Sequence, residues 1–503
     1  MSFTTEDTED RRKNPVGFSP LDEARGALSN VDPSTSSGSS RATSRDERAG
    51  LHLRVLSVLG GPSAQSNNPG LLSLALRHFV AATAVLALVA YIAVYARLDV
   101  PPPIKSDGYS YYVYLPSWVI YKDFSFEALA DDWYGGRYPS FTGLTRWPPT
   151  GRWLNLHPIG TAILEMPFFV AADALSQWSN LPRDGFSLYY QHAAGLAGLT
   201  YFVAGVAILR RLLMRRFGDG VVLATLVCVT WGTNLFHYGV FDSTFSHAFA
   251  FFEICAWIWL VERWWADGTP ARSVMLGLLA ALIVLTRHTN AVFLLVLPLF
   301  GVTTVSDMRL RMRTAWERRR ELAVAAAAAA VAIAPQLALY KWITGSWFVN
   351  AYVTHSPIGF RFASPHLAGV LFSTQKGLFF WSPLLLLAVI GLFAGSSVMS
   401  DLRLPALVVL AIQTYLIASW SEWQFGASYG HRAFTDGLGL MAPFLAAFLE
   451  RIALRRNIRA VVAAGATAAV VLSIAQMVQY WIGILPYADT TWSQYRALFL
   501  RFH

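Results

Sequence analysis

The chain has 503 residues, 54% hydrophobic and only 14% charged, with a mean hydropathy of +0.41. A soluble domain carries about a quarter charged residues. This composition therefore excludes one large soluble body and points to apolar runs that cross a bilayer as helices, which bond their own backbone polar groups in hydrocarbon. The net charge is +9, but the arginines lie between apolar runs and form no stripe, so they mark membrane topology and exclude a nucleic-acid surface.

Residues 1–70 are polar and include VDPSTSSGSSRATSRDERAG. This stretch has too few apolar residues to bury a core and is expected to be a disordered cytoplasmic tail. It lacks the apolar region of a signal peptide. A first span is expected near 75–95. Residues 96–187 are too rich in Asp, Trp, Tyr and Pro for lipid and read as a large first external loop carrying short interfacial helices. Within it, HPIGTAILEMPFFVAADAL (157–175) is the ambiguous element. As a span it would place Arg210, Arg211, Arg215 and Arg216 outside, against the positive-inside rule. With Glu165, Asp173 and two prolines also counting against a span, it is assigned as an interfacial helix.

Further spans are expected near 188–209, 220–240, 245–261, 273–287, 290–305, 322–342, 378–396, 404–420, 437–450 and 460–481. The fold class is thus an all-α polytopic membrane protein of about eleven spans. The transmembrane domain covers 71–485, and 486–503 form an external C-terminal tail. The alternation puts four arginine-bearing links inside: Arg210–Arg216, Arg263–Arg272, Arg309–Arg320 and Arg451–Arg459. Cys228 and Cys255 fall in apolar runs and read as small buried hydrophobes, with no disulfide or metal site expected.

Once topology accounts for those arginines, the polar residues of the opposite face become the site candidates. Asp107 in SDGYSYYVYLP is walled by Tyr109, Tyr111, Tyr112 and Tyr114. It suits a general base whose proton affinity burial would raise, and it equally suits a helix cap, shared with Ser106. Arg287 in LTRHTN lies at an external turn, against the charge trend, where it either snorkels or meets a phosphate; His288 and Asn290 share its turn. Asp242, Ser246 and His247 lie in FDSTFSHAF, with Glu253 deeper in the same helix. Lys376 in FSTQKGLFFWSP and Arg432 in WSEWQFGASYGHR add external cations, beside Glu422, Tyr429 and His431. No GxxxxGK[ST], HExxH, paired CxxC or GxSxG occurs, so ATP-driven transport and zinc proteolysis lack support.

SDGYSYYVYLPS after the first span, HPIGTAILEMPFF, a span ending RRLLMRRFG, WGTNLFHYGVFDSTFSHAF, FSTQKGLFFWSPLLL and FGASYGHRAFTDGLGLMAPF together resemble bacterial membrane glycosyltransferases of the GT-C superfamily, relatives of protein O-mannosyltransferases and lipid A aminoarabinose transferases. The resemblance runs over about 75–450. It implies a GT-C-like bundle that transfers a sugar from a polyprenyl-phosphate donor to a hydroxyl of a lipid, glycan or protein at the periplasmic face of the bacterial inner membrane. Asp107 would be the base. Arg287, Lys376 and Arg432 would meet the donor phosphate, with Tyr109, Tyr112, His157, His247, His288, Glu422 and Tyr429 contacting substrate. No metal or other cofactor is implied, because Gly108 stands where many members carry a second acidic residue. A secondary transporter or flippase and a non-catalytic scaffold remain the rival readings; a transporter would more often show repeated halves and broken polar spans at mid-bilayer.

Overall fold

The computed structural model describes residues 70–132, 143–352 and 358–502. The expected disordered tail lies outside them except for Gly70. The described chain is mainly helical, with almost no strand.

Helix α1 (Leu71–Arg97) opens the bundle, and its last residue leads into a Pro-rich turn. The polar segment read from the sequence as the first external loop follows. It contains the short helix α2 (Asp107–Tyr112) and an antiparallel hairpin of β1 (Leu144–Arg146) and β2 (Trp153–Asn155). The hairpin is the one pair of strands among the described residues of an otherwise all-α chain. It forms because Pro148, Pro149 and Gly151 make a turn, Gly151 taking φ +71°, and Arg146 packs its guanidinium 4.5 Å from the Trp153 ring. The hairpin turn is tied to the bundle by Thr150 Oγ1, which donates to Ile343 O at 2.6 Å.

Helix α3 (Gly160–Trp178) is the ambiguous 157–175 element. One side is buried through Ala162, Glu165, Phe169 and Ala172, and the other exposes Ile163, Val170 and Trp178. Its first turn touches the bundle at a backbone: a Cβ on Gly160 would stand 2.3 Å from Thr286 N. Only glycine permits that approach.

The bundle continues through α4 (Leu188–Met214), α5 (Asp219–Trp231), α6 (Leu235–Val240), α7 (Ser246–Ala266) and α8 (Pro270–Thr286). A 3-10 segment, His288–Leu295, carries the chain back. Then come α9 (Val305–Glu317), α10 (Arg319–Thr344), α11 (Leu384–Phe393) and α12 (Ser400–Ser419). The 3-10 turn Arg432–Gly437 leads into α13 (Leu438–Ala453), followed by α14 (Arg456–Trp481) and α15 (Trp492–Leu498).

Six helices among the described residues are long and apolar enough to cross a membrane: Leu71–Arg97, Leu188–Met214, Arg319–Thr344, Ser397–Ser419, Arg432–Ala453 and Asn457–Trp481. This is fewer than the eleven expected. Four further stretches are apolar but short (Asp219–Trp231, Pro270–Thr286, His288–Leu299 and Leu384–Phe393). Several of these are cut by non-helical turns at Gly232–Asn234, Arg287 and Ser382–Pro383. Residues 486–503, read from the sequence as a C-terminal tail, include a helix that packs on the bundle. Tyr495 of α15 packs 4.8 Å from Phe380 and its hydroxyl accepts from Gln476 Nε2 at 2.7 Å.

The arginine-bearing links converge at one end of the bundle. Arg216 pairs with Glu262 at 3.5 Å and with Asp401 at 2.5 Å, and Arg318 donates to Trp264 O at 2.6 Å. Arg210 donates to Leu76 O at 3.0 Å. Helix α7 runs from this cluster to the opposite end, where Ser246 lies about 24 Å away at 1.5 Å rise per residue. Both cysteines are free and buried, as read from the sequence.

Candidate functional site

The distant end holds a partly buried cluster of two ion pairs. Asp107 is the first residue of α2, and its Oδ2 lies 2.7 Å from Arg432 Nη1. Ser106 stands at the N-cap position of α2 without a side-chain capping bond, and Asp107 is the acidic residue of the first turn. Beside this pair, Arg287 Nε lies 3.2 Å from Asp436 Oδ2, and Arg287 Nη1 donates to Ser246 Oγ at 3.3 Å. Ser246 Oγ in turn donates to Tyr111 OH at 3.0 Å. Side-chain exposures of 18% for Asp107, 16% for Arg287 and 12% for Arg432 leave the cluster reachable, whereas Asp436 at 1% is sealed beneath it.

Asp436 organises the floor. It accepts from His247 Nδ1 at 2.8 Å and from Asn290 Nδ2 at 3.0 Å, besides meeting Arg287. Three elements thus converge on one carboxylate: the start of α7, the turn after α8, and the 3-10 turn before α13. Arg432 and Asp436 are four residues apart in that last turn, so one short element supplies the cation of the first pair and the anion of the second.

Asp107 is held from the other side by a chain of neutral groups. Tyr352 OH donates to His157 Nε2 at 3.4 Å, His157 Nδ1 donates to Ser110 Oγ at 2.5 Å, and Ser110 Oγ donates to Asp107 O at 3.0 Å. Asn155, from β2, locks this chain: its Nδ2 donates to Ser110 O at 2.7 Å and its Oδ1 accepts from His157 N at 3.1 Å. Burial lowers the His157 pKa to about 4, against the pull of Asp107, so the imidazole is neutral at pH 7.

Gly108 is required by the packing of this corner. A Cβ there would meet Thr244 Oγ1 at 2.1 Å, and that hydroxyl donates to Pro103 O at 2.8 Å. The expectation that burial raises the Asp107 pKa is corrected. Burial does push it up, but Arg432, His157, His247 and Arg287 together outweigh burial, and the net direction is down. Asp107 rests as a carboxylate with reduced basicity.

The remaining candidates divide. His247 belongs to the floor and His157 to the supporting chain. Tyr109 and Tyr112 do not face the cluster: Tyr109 stacks on Phe186 at 5.5 Å, and Tyr112 OH donates to Gly185 O at 2.6 Å inside the separate hydrophobic core of the polar segment. The tyrosine of the cluster is Tyr111. His288 turns its ring to Tyr340, 6.3 Å away, and Glu422 is exposed. Tyr429 is buried, its hydroxyl donating to Ser473 O at 3.0 Å. Lys376 is spent on the backbone, donating to Ser428 O and, at 2.8 Å, to Tyr487 O. Burial first, then Arg432, lowers its pKa to about 7.

Asp242 leaves the group in which the sequence placed it. It pairs with Lys105 at 3.3 Å and with His237 Nε2 at 2.9 Å, and His237 Nδ1 accepts from Trp481 Nε1 at 2.9 Å. Lys105 also sits 3.8 Å from the Phe241 ring centroid. Every charge in this second cluster has a partner, so it ties the end of α1 to α14. Glu253 accepts from Thr286 Oγ1 at 2.5 Å, next to Arg287, and its second oxygen has no partner.

Sequence reasoning missed Asp436, Lys105, Ser110, Asn155 and Tyr352 as site residues. No protein-family model, curated protein or solved structure matches the chain. Among the described residues no group of three or more His, Cys, Asp and Glu could hold a metal ion.

Proposed function

We propose that the protein is a membrane glycosyltransferase of the GT-C type. It moves a sugar from a polyprenyl-phosphate donor to a hydroxyl of a lipid, glycan or protein acceptor. The observation that carries this reading is the partly exposed Asp107–Arg432 pair beside Arg287, at the end of the bundle remote from the basic links. A carboxylate and two guanidinium groups on one face supply a proton acceptor and an oxyanion site.

In the proposed reaction the acceptor oxygen attacks the anomeric carbon as its proton passes to Asp107. The bond from that carbon to the phosphate oxygen breaks, and its electron pair leaves with the polyprenyl phosphate. Arg432 and Arg287 take up the developing charge. A single displacement inverts the anomeric centre. Arg432 Nε is buried without a hydrogen-bond partner, and a phosphate oxygen would satisfy it. Phosphate that draws Arg432 off Asp107 also raises the carboxylate's proton affinity, so donor binding would activate the base.

The reading includes a topology. The chain passes eleven times between the two ends, the short apolar helices included. The N-terminus and basic links face the cytoplasm, the site faces the periplasm of a bacterial inner membrane, and α3 lies in the outer interface. The test is sugar transfer by the purified chain from radiolabelled undecaprenyl-phosphate pentoses and hexoses, combined with lipid and glycan profiling of a deletion strain. Transfer that survives unchanged in Asp107→Asn ends the base assignment. An unaltered envelope, together with transport activity in vesicles, favours a transporter.

A further inference from the structure

We infer that α9 is a lipid-headgroup site: it lies on the membrane surface at the basic end of the bundle and binds the phosphates of anionic phospholipids. This stands independently of the transferase reading.

The sequence of α9, VSDMRLRMRTAWE, begins with a complete capping box. Thr304 Oγ1 accepts from Asp307 N at 3.1 Å, while the Asp307 carboxylate accepts from Thr304 N at 2.8 Å. The helix therefore starts at a defined point and needs no partner to begin. None of its residues is buried. Two arginines fix one side of it to the bundle. Arg311 stacks 4.0 Å over Trp265 and donates to Phe300 O, and Arg318, just past its end, donates to Trp264 O at 2.6 Å.

The side these anchors leave free is unusual for a water-facing helix. Val305, Met312 and Trp316 are 71%, 66% and 71% exposed. Their spacing of seven and then four residues puts all three on one stripe. Arg309 and Arg313 flank that stripe, and Arg320 follows one turn beyond Trp316. Arg309 and Arg320 make no ion pair among the described residues, and Arg313 meets only the exposed Glu317, at 3.4 Å.

Two occupants would bury such a stripe: another protein, or the bilayer boundary. The position selects the bilayer. Helix α10 begins at Arg319, directly after α9, and is long and apolar enough to cross a membrane. The stripe thus sits at the level where a span enters the headgroups. Apolar side chains there reach the acyl boundary, and arginine stems snorkel back so that guanidinium groups meet lipid phosphate. Unpaired arginines beside an exposed Trp match an anionic lipid surface in both charge and depth.

The experiment uses the full chain in nanodiscs of phosphatidylcholine, with or without phosphatidylglycerol. A nitroxide on Met312→Cys reports depth by its relative collision with oxygen and a water-soluble nickel chelate; Cys228 and Cys255 are buried. Oxygen-dominated collision is expected, and nickel-dominated collision in both lipids overturns the proposal in favour of a protein partner. Phosphatidylglycerol retained by the purified protein is then measured by native mass spectrometry for wild type and for Arg309→Gln/Arg313→Gln/Arg320→Gln. Roughly fivefold per arginine, the preference for phosphatidylglycerol falls about a hundredfold in the triple variant. An unchanged preference refutes phosphate recognition. Arg309→Lys/Arg313→Lys/Arg320→Lys keeps the charge and is expected to keep most of the preference, which separates lipid binding from misfolding.

Discussion

Asp436→Asn removes the charge beneath Arg287 and preserves side-chain volume. The wild-type carboxylate is 1% exposed and meets His247, Asn290 and Arg287 at 2.8, 3.0 and 3.2 Å. Stripping one partner from a fully buried ion pair costs about 3–5 kcal/mol. Two features reduce that here. Arg287 keeps 16% of its side-chain exposure, so water screens part of its charge, and the amide oxygen of asparagine still accepts one hydrogen bond. The expected cost is about 2–4 kcal/mol. Arg287→Met leaves Asp436 with two neutral donors and costs a similar amount. In the double variant neither charge is orphaned, so the costs do not add, and the coupling is expected at about 1.5–3 kcal/mol. The assay is equilibrium unfolding of the full chain in mixed micelles, titrated with denaturing detergent and followed by tryptophan fluorescence. Additivity to within about 0.5 kcal/mol would show that the two side chains act independently, and the picture of Asp436 as the floor of the site would be wrong.

Gly108→Ala drives a methyl group into Thr244 Oγ1, 2.1 Å from the ideal Cβ; a loss of about 1–3 kcal/mol is expected, with partial recovery on adding Thr244→Ala, read from the folded yield of the two variants. Lys105→Met leaves the buried Asp242 with the neutral His237 ring as its remaining hydrogen-bond partner and no cation, and is expected to destabilise more than the Lys105→Met/Asp242→Asn pair in the same unfolding assay. Lys376 has its pKa lowered to about 7 by burial and by Arg432. Between about pH 7 and its unfolded value near 10.4 the unfolded chain holds a proton that the folded chain has released, so stability rises with pH across that window. The neutral amine keeps two N–H donors for its two carbonyls. Wild type should therefore gain stability relative to Lys376→Met from pH 7 to 10, and a flat difference would refute the titration.

The apolar runs and the arginine links were legible because both are local: one needs only composition over a window, the other only the sign of short loops. The sorting of tyrosines was also written in the chain. Asp107 and Tyr111 are four residues apart and share a face of α2, whereas Tyr109 and Tyr112, three apart, share the opposite one; helical spacing applied to SDGYSYY would have selected Tyr111. Arg432 and Asp436 carry the same signature, an acidic residue four positions after the cation at the mouth of an apolar helix. The partners themselves were not legible. Asp107 with Arg432, Lys105 with Asp242 and Lys376 with the carbonyls of Ser428 and Tyr487 join segments far apart in the chain, and no local period encodes which apolar helix lies beside which. The short helices failed the length rule for a different reason. The turn at Gly232–Asn234 interrupts one of them where the residues are buried in protein, and the turn at Ser382–Pro383 has Ser382 buried and Pro383 exposed; irregular backbone in a membrane protein is tolerated where protein covers it.

Pairing also changes what the cations read from the sequence as external mean. Counted from sequence, Arg287, Lys376 and Arg432 are three free positive charges awaiting an anion. In the structure each arginine rests on a carboxylate and the lysine on carbonyls. The resting site is therefore close to neutral, and attraction of a distant anion is weak. Selectivity then depends on geometry at contact: a ligand must offer oxygens that reach both guanidinium groups while Asp436 keeps Arg287 fixed. A lipid-borne phosphate arriving in the membrane plane suits such a site better than a free anion does. Its local concentration is set by the bilayer, so no long-range field is needed to collect it. The two ends of the bundle thus use arginine in opposite ways. At the α9 end Arg309 and Arg320 make no ion pair among the described residues, Arg313 meets an exposed glutamate, and all three would, as proposed, meet a surface of many phosphates. At the Asp107 end they are paired with carboxylates, and in the proposed reaction Arg432 would exchange its carboxylate for one phosphate.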